Sequence, residues 1–492
     1  MQTPLGQQTA AWAADRPERS GFRILTNGVD GMLARIEMID AATRTLDLEC
    51  YIFRLDESGG LIAAAMLRAA DRGVRVRVLL DDGDTAPGDE RIAALDEHPN
   101  IELRIFNPFA YRGHSNVLRA GEFALRGGSV NYRMHNKLLV ADNAIALIGG
   151  RNVGDAYFQI DPESHFGDDD LFAAGPIVRR MSKSFDEYWN SAQAIPAAAL
   201  AQAAPDRGAP LRRLRASLLR PRPELEAKGL RYTARLKSGE PLAGILDQPA
   251  LLAWGAAQLI VDSPDKRRVI LGQEWGETAF EPVMQAMSRV KSELLIVTPF
   301  FVPGRKGMAV IEGLRRRGVE VRVLTNSLES TTELAVHSAY SRYRTQLLAD
   351  GVKLFEVRAQ LGSAAGSGAP QWMARSGHYS LHAKLFVFDR ESIFIGSMNF
   401  DERSENINTE IGALIDSPDL ARQTATRFEE ITRLENAYAV KRVPGSDGHP
   451  PRLEWLTRKN GRLITLSKDP ARSPLQRVKA GLMGLLPLDG EL

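Results

Sequence analysis

A single cysteine, Cys50, stands in 492 residues. No disulfide can therefore close within the chain, and no cysteine-based zinc cluster can be built; the lack of disulfides fits either side of a membrane. An excess of one charge is also missing. The 63 Lys and Arg residues against 61 Asp and Glu leave a net charge of +2, too small for a global field that would gather nucleic acid, so an anionic partner would need a local basic patch. Long apolar runs are absent as well. The strongest candidate, from Leu294 to Val302, is interrupted by Pro299 and falls short of the roughly 18 residues that span a bilayer, so contact with lipid is expected to be peripheral. Residues 1–20 lack a basic stretch followed by an apolar one and read as a polar tail, not as a signal peptide.

What is present is a globular balance, 44% apolar and 25% charged residues, in a chain long enough for two cores. The two are related by duplication. LIAAAMLRAADRGVRVRVLLDDGD, from Leu61, reads as an amphipathic helix, a turn at Gly73 and a strand carrying Val74, Val76 and Val78. MAVIEGLRRRGVEVRVLTNSL, from Met308, repeats that order with Gly318 and Val319, Val321 and Val323. Agreement of this block with a second repeated block farther along, at nearly the same offset, predicts a duplicated α/β unit. The expected domains are 21–195 and 256–440. Between them, 196–255 is an Ala/Pro-rich connector with Arg212, Arg213, Arg215, Arg220 and Arg222, read as a solvated linker in preference to a lipid-headgroup patch. The C-terminal tail, 441–492, carries Arg477 and Lys479 beside Leu482, Met483, Leu485 and Leu486. It reads equally as a short interfacial helix or as a segment docked on the body.

The second repeated block carries the chemistry. Each half holds His-x-Lys, four residues, Asp, six residues, then Gly-Gly/Ser-x-Asn. These are His135, Lys137, Asp142, Gly149, Gly150 and Asn152 in the first half, and His382, Lys384, Asp389, Gly396, Ser397 and Asn399 in the second. On a strand, side chains two apart share a face, so His and Lys can converge on one phosphate. Asn152 and Asn399 offer amide donors for its oxygens. Gly150 and Ser397 occupy equivalent positions, so only the second copy adds a hydroxyl. One histidine attacking phosphorus would form a phosphoramidate, and a second, protonated one would supply the leaving alkoxide with its proton. The lysines would offset charge in the transition state. No metal is expected, because each histidine is paired with a cationic lysine and not with a second ligand. Asp142 and Asp389 are expected to brace local loops more than to react.

A histidine in this role needs a carboxylate on its other ring nitrogen. Glu410, 28 residues after His382, is expected to serve that histidine. Asp170 is expected to serve His135, with Asp168 as the competing choice. His337, Tyr340, Arg342 and Arg344 form a candidate acceptor-shaping surface, with an amphipathic core helix as the equal alternative.

These residues make up the HKD signature of the phospholipase D superfamily, and the similarity runs from about Gly21 to the C-terminus. The segments LECYIFRLDESGG, RIFNPF, HNKLLVADNAIALIGGRNVGDAYF and FDERSENINTEIG resemble bacterial cardiolipin synthases. The resemblance implies two phospholipase D-like domains, each a sheet flanked by helices, packed about a pseudo-twofold axis with one shared active site. It further implies transfer of a phosphatidyl group between phospholipids, without cofactor, at the bacterial inner membrane. Phosphatidylglycerol would be the acceptor, and phosphatidylglycerol or phosphatidylethanolamine its partner; His135 would be the nucleophile and His382 the general acid. A hydrolytic phospholipase D and a nuclease of the same superfamily would use the same residues.

Overall fold

The repeated helix, glycine and strand form where the hydrophobic period places them. In the first copy helix Glu57–Asp71 leads to strand Arg75–Asp81, and in the second helix Gly304–Arg316 leads to strand Glu320–Asn326. Gly73 and Gly318 stop the helices with φ of +90° and +82°, a left-handed conformation that a Cβ would disfavour. The amides after them close the same way, Val74 onto the Ala69 carbonyl and Val319 onto that of Leu314. The computed structural model describes residues 2–83, 90–111, 117–118, 121–122, 130–161, 163–200, 208–218, 249–274, 276–361, 378–445 and 450–484.

Two compact units emerge. The first comprises Met1–Ile160, Asp169–Thr278 and Ile407–Gly412; the second comprises Asp161–Asp168, Ala279–Asn406 and Ala413–Leu492. Each unit thus includes a short piece drawn from the other half of the sequence. Numbering strands along the chain, with helices of eight or more residues numbered likewise, the first half contains α1 (Pro4–Trp12), β1 (Ser20–Leu25), α2 (Gly28–Ala41), β2 (Thr45–Cys50), α3 (Glu57–Asp71), β3 (Arg75–Asp81), β4 (Ile101–Phe106), β5 (Lys137–Ala141), β6 (Ile145–Gly149), β7 (Ser164–Gly167), β8 (Asp170–Ala174), α4 (Pro176–Trp189), β9 (Ala194–Pro196), α5 (Ala209–Leu218) and β10 (Ala253–Val261). All but β7 belong to the first unit. Its sheet runs β10-β1-β8-β6-β5-β2-β3-β4-β9, with only the β2–β3 and β3–β4 pairs parallel.

The second unit contains α6 (Phe280–Ser288), β11 (Glu293–Val297), α7 (Gly304–Arg316), β12 (Glu320–Asn326), α8 (Leu334–Ala349), β13 (Lys353–Val357), β14 (His378–Leu381), β15 (Leu385–Phe388), β16 (Ser392–Gly396), β17 (Ile411–Asp416, which begins in the exchanged piece), α9 (Pro418–Ile431), β18 (Ala437–Val443), β19 (Arg452–Lys459), β20 (Arg462–Leu466) and α10 (Pro474–Met483). Its strands follow the order β16-β15-β11-β12-β13-β18-β19-β20, again with two parallel pairs, β11–β12 and β12–β13. The run β6-β5-β2-β3-β4 in one unit matches β16-β15-β11-β12-β13 in the other, so the duplication inferred from sequence is a duplication of topology. Strands β5 and β15 are buried along their whole length. That is why KLLVA and LFVF lack polar alternation. Each buried Leu, Val or Phe contributes roughly 1.5–3 kcal/mol, which anchors the two motif-bearing strands, each paired on both edges.

Three boundaries differ from expectation. The polar tail 1–20 contains α1, because Thr3 caps it by accepting from the Gly6 amide at 3.1 Å and Pro4 starts it with a fixed φ. The first unit extends to Thr278, past the expected start of the second domain at 256, because β10 bonds antiparallel to β1. The C-terminal tail is structured too: β18, β19 and β20 form a meander and α10 follows. Within the connector, Arg215 pairs with Asp71 at 2.7 Å, and its hydrogen bond holds that carboxylate down at about 2. Arg220 and Arg222 lie outside the described residues, as do Leu485 and Leu486.

Candidate active site

The two motifs are built alike. Asp142 and Asp389 begin the turns of the β5–β6 and β15–β16 hairpins, with φ of +52° and +53°. Each carboxylate gathers a row of donors. Asp142 accepts from the amides of Thr43, Arg44 and Thr45 and from the Thr43 hydroxyl. Asp389 accepts from the amides of Lys291, Ser292 and Glu293 and from the Ser292 hydroxyl. Burial works to raise the Asp389 pKa, but the Ser292 hydroxyl and these amides outweigh it and keep the carboxyl below its ordinary value. Both aspartates face the start of the neighbouring strand and serve as braces.

The histidines lie just ahead of the motif strands instead of within them. His135 precedes β5, with its amide donating to the Thr409 carbonyl at 3.0 Å. Its Nδ1 lies 2.9 and 3.1 Å from the two carboxylate oxygens of Glu410, which is fully buried. His382 follows β14; its amide donates to the Gly167 carbonyl at 2.7 Å and its Nδ1 is 2.6 Å from Oδ2 of Asp168. The lysines fold back on the histidines. Lys137 donates to the His135 carbonyl at 2.6 Å, and Lys384 to the His382 carbonyl at 2.5 Å, with its ammonium 3.0 Å from Nδ1 of the ring. Each carboxylate thus lies on the Nδ1 side of its ring, and the Lys384 ammonium also lies 3.3 Å from Nε2 of His382.

The orienting carboxylates are therefore crossed relative to expectation. Glu410 serves His135 instead of His382, and Asp168 serves His382. The cause is the exchange of short pieces between the units. Residues 164–167 form β7, which pairs in parallel with β14 immediately before His382. Thr409 forms a parallel bridge with Met134 immediately before His135. Gly167 permits the first pairing, since a Cβ there would lie 1.8 Å from the Tyr379 hydroxyl. Asp170 is corrected to a structural role. It is fully buried and accepts from Arg35 at 2.7 and 2.8 Å and from Arg151 at 2.8 Å.

Two further expectations change. The Asn152 side chain is turned to the protein, donating to the Tyr157 hydroxyl at 2.9 Å and accepting from the Ile52 amide at 3.2 Å, instead of being offered to a ligand. His337, Tyr340 and Arg344 are buried on α8, where Arg344 meets Glu356 at 2.8 Å and Asp469 at 2.7 Å; they form a core network and not an acceptor surface. Ser397 and Asn399 are buried at the end of β16, and Gly150 donates its amide to the Asp169 carbonyl at 3.1 Å.

Several residues of the site escaped the sequence reading. Tyr51 meets the His135 ring edge-on at 5.0 Å and lies 5.2 Å under the Lys137 ammonium, while Phe166 sits 5.2 Å from His382. The Glu410 segment is clamped by Asp262, whose carboxylate accepts from the Glu410 amide at 2.9 Å, and by Lys266, which donates to Asp262 at 3.0 Å and to the Asn408 carbonyl at 2.7 Å. Asn136, the variable residue of the first motif, donates to Glu49 at 2.8 Å and accepts from the Thr409 hydroxyl at 3.4 Å. Burial pushes the Glu49 carboxyl up to about 8 against the opposing pull of Asn136, so it is a neutral acid near pH 7. Nothing in periodicity points to these residues; only their closeness to the motifs in space does.

Among the described residues no group of three or more His, Cys, Asp or Glu side chains is arranged to hold a metal ion, and no helix is long and apolar enough to cross a membrane. The family profile described as cardiolipin synthase, PLD-like domain, matches residues 35–189 and 283–432, which contain both motifs. A relative named cardiolipin synthase C, from Escherichia coli, is 34% identical over 482 residues, covering 97% of each chain. A Geobacillus protein named cardiolipin synthase is 25% identical over 415 residues, covering 83% of this chain and 65% of its own. The crystal structure of a phosphatidylserine synthase from Haemophilus influenzae superposes with a TM-score of 0.55 at 14% identity, covering 88% of this chain and 92% of that one, a likeness of fold. With a domain profile matched in both halves and a relative aligned almost end to end, the chain belongs to the phospholipase D-like cardiolipin synthase family and is an enzyme of that phosphatidyltransferase type.

Proposed function

We propose that the chain transfers a phosphatidyl group from one phospholipid to the hydroxyl of phosphatidylglycerol, with phosphatidylglycerol or phosphatidylethanolamine as the partner lipid, while attached peripherally to the bacterial inner membrane. The observation that carries this reading is the pair of histidines, one in each unit, each with Nδ1 on a buried carboxylate and a lysine folded beside it. Nε2 of His135 attacks phosphorus as the bond to the leaving alkoxide breaks, and His382 gives its proton to that oxygen. The acceptor hydroxyl then loses its proton to His382 and attacks phosphorus, breaking the P–N bond and freeing His135. Glu410 and Asp168 fix the rings and offset imidazolium charge. Lys137 and Lys384 lower the cost of negative charge on the nonbridging oxygens. Asn399 and Ser397 are assigned to the phosphate as well.

Water at about 55 M competes with the lipid hydroxyl for the phosphoenzyme, so transfer requires the acceptor to be held in line at high effective concentration. Vesicles of phosphatidylglycerol, alone or mixed with phosphatidylethanolamine, are expected to yield cardiolipin as the main product and phosphatidic acid as a minor one. Phosphatidic acid dominating at every lipid composition would replace this reading with a hydrolytic phospholipase.

A further inference from the structure

We propose that α10 is an interfacial anchor that lays one face on an anionic phospholipid surface. The helix is fastened to its own unit through one side only. Ser473 caps it by accepting from the Gln476 amide at 3.2 Å, and Pro474 supplies the first-turn φ. Gln476 donates to the Leu328 carbonyl at 2.7 Å, and the Ala480 carbonyl accepts from the Ser338 hydroxyl at 2.8 Å. Arg477 donates to the Asp469 carbonyl at 2.8 Å. Just before the helix, Arg472 donates to the carbonyls of Glu329 and Thr331 at 2.7 and 2.9 Å. These bonds use the face of residues 476, 477 and 480.

The opposite face is apolar and open. Leu475, Val478 and Leu482 are 61, 57 and 62% exposed, and Met483 is 37% exposed. With Lys479, residues 475, 478 and 482 follow the i, i+3, i+4, i+7 spacing of a single helical stripe. A helix held this firmly by polar bonds on one side has no reason of its own to leave three aliphatic side chains in water on the other. Something of matching character covers them.

The charge around the stripe selects the occupant. Between 468 and 483 there are four cations, Lys468, Arg472, Arg477 and Lys479, and one carboxylate, Asp469. Asp469 is already engaged by the buried Arg344 at 2.7 Å and by His337 at 3.2 Å, and Arg477 belongs to the docked face, so the outward balance rests on the exposed Lys468, Arg472 and Lys479 and is positive. Lys479 stands within the stripe itself. A dry protein interface would have to desolvate its ammonium, whereas a helix lying in a bilayer interface lets the stem follow the apolar face while the charge reaches the headgroups. The stripe also lacks the aromatic anchors that dominate protein–protein contacts. A lipid surface rich in phosphatidylglycerol satisfies both the apolar stripe and the cations.

The test is vesicle co-sedimentation of the full chain, measured without reference to turnover. Binding to phosphatidylglycerol vesicles is expected to exceed binding to phosphatidylcholine vesicles by at least about tenfold and to weaken with salt. The triple variant Leu475→Asp, Val478→Asp, Leu482→Asp should lose at least about tenfold of that binding with an unchanged melting temperature. Lys479→Glu, which leaves the stripe apolar, should lose on the order of fivefold. Turnover of a monodisperse short-chain phospholipid should be unchanged in both variants, so a dead transferase with intact vesicle binding would sink the functional reading and leave the anchor standing. Wild-type-like binding by the triple variant or by Lys479→Glu would overturn the proposal. So would a lipid-free dimer that the triple variant dissolves, which would assign the face to a second copy of the chain.

Discussion

Replacing Asp170 with alanine separates two roles that its position near the first motif confounds. The carboxylate is fully buried and is the shared acceptor for Arg35, through two bonds, and Arg151, through one. Arg151 is itself 1% exposed and also holds the carbonyls of Leu25 and Thr26 at 2.8 and 2.9 Å. Removing the carboxylate takes from two guanidinium groups in a low-dielectric interior the acceptor they share. Breaking a buried pair this way costs about 3–5 kcal/mol, because the backbone carbonyls that Arg35 and Arg151 keep replace only part of what the carboxylate supplied. For a cooperative unit of this size, each kcal/mol shifts the midpoint by roughly 2–4 °C, so the unfolding transition should fall by about 6–20 °C. Differential scanning calorimetry of wild type and Asp170→Ala measures this directly. Turnover below the new transition should stay within about tenfold of wild type, since the histidines keep their own carboxylates. A transition within about 2 °C of wild type, accompanied by loss of turnover, would refute the structural role and return Asp170 to the histidines.

His135→Ala and His382→Ala should each remove at least about three orders of magnitude of rate while remaining folded; near-normal turnover by either would end the two-histidine mechanism. Glu410→Gln and Asp168→Asn should each lower kcat by about 10²–10⁴ by analogy with the orienting carboxylate of a catalytic triad. Acid-quench trapping should show Glu410→Gln slowing formation of the phosphoenzyme, and an unchanged rate would remove Glu410 from the site. Glu49, with a folded pKa of about 8 against an ordinary 4.5, keeps its proton in the folded state while the unfolded chain loses it. Its contribution to stability is full below about pH 4.5 and is lost as pH rises through about 8, with a limiting slope of about 1.4 kcal/mol per pH unit. Glu49→Gln should flatten that slope in denaturant titrations between pH 5 and 8, and an unaltered slope would place the proton elsewhere.

The repeat made much of the fold legible. Helix, glycine and valine-rich strand recur with their turns at Gly73 and Gly318, and the structure repeats the same run of two antiparallel and two parallel pairings from β6 to β4 and from β16 to β13. The spacing from histidine to aspartate and asparagine was equally readable, because it follows one strand and its hairpin turn. What escaped depends on distance along the chain. Asp168 and Glu410 occupy comparable places after their motifs, yet pairing each with the histidine of its own half gives the wrong partner. Local sequence records that a carboxylate follows the motif, but not that β7 joins β14 or that Thr409 meets Met134. Tyr51, Asp262 and Lys266 escaped for the same reason. The N-terminal segment was misjudged in the other direction: a short polar-looking stretch became ordered once Thr3 capped a helix, whereas the helix of the C-terminal segment was one of the two readings its sequence offered.

The exchange of 161–168 and 407–412 also bears on how such a chain can be divided. Duplication suggests two modules that could be parted at the connector, each carrying a complete motif. A single cut there would leave the N-terminal fragment with His135 but without Glu410, and the C-terminal fragment with His382 but without Asp168. Each fragment would hold the carboxylate that the other fragment's histidine needs. A cut at the connector would thus part each histidine from its carboxylate, through two segments of fewer than ten residues each.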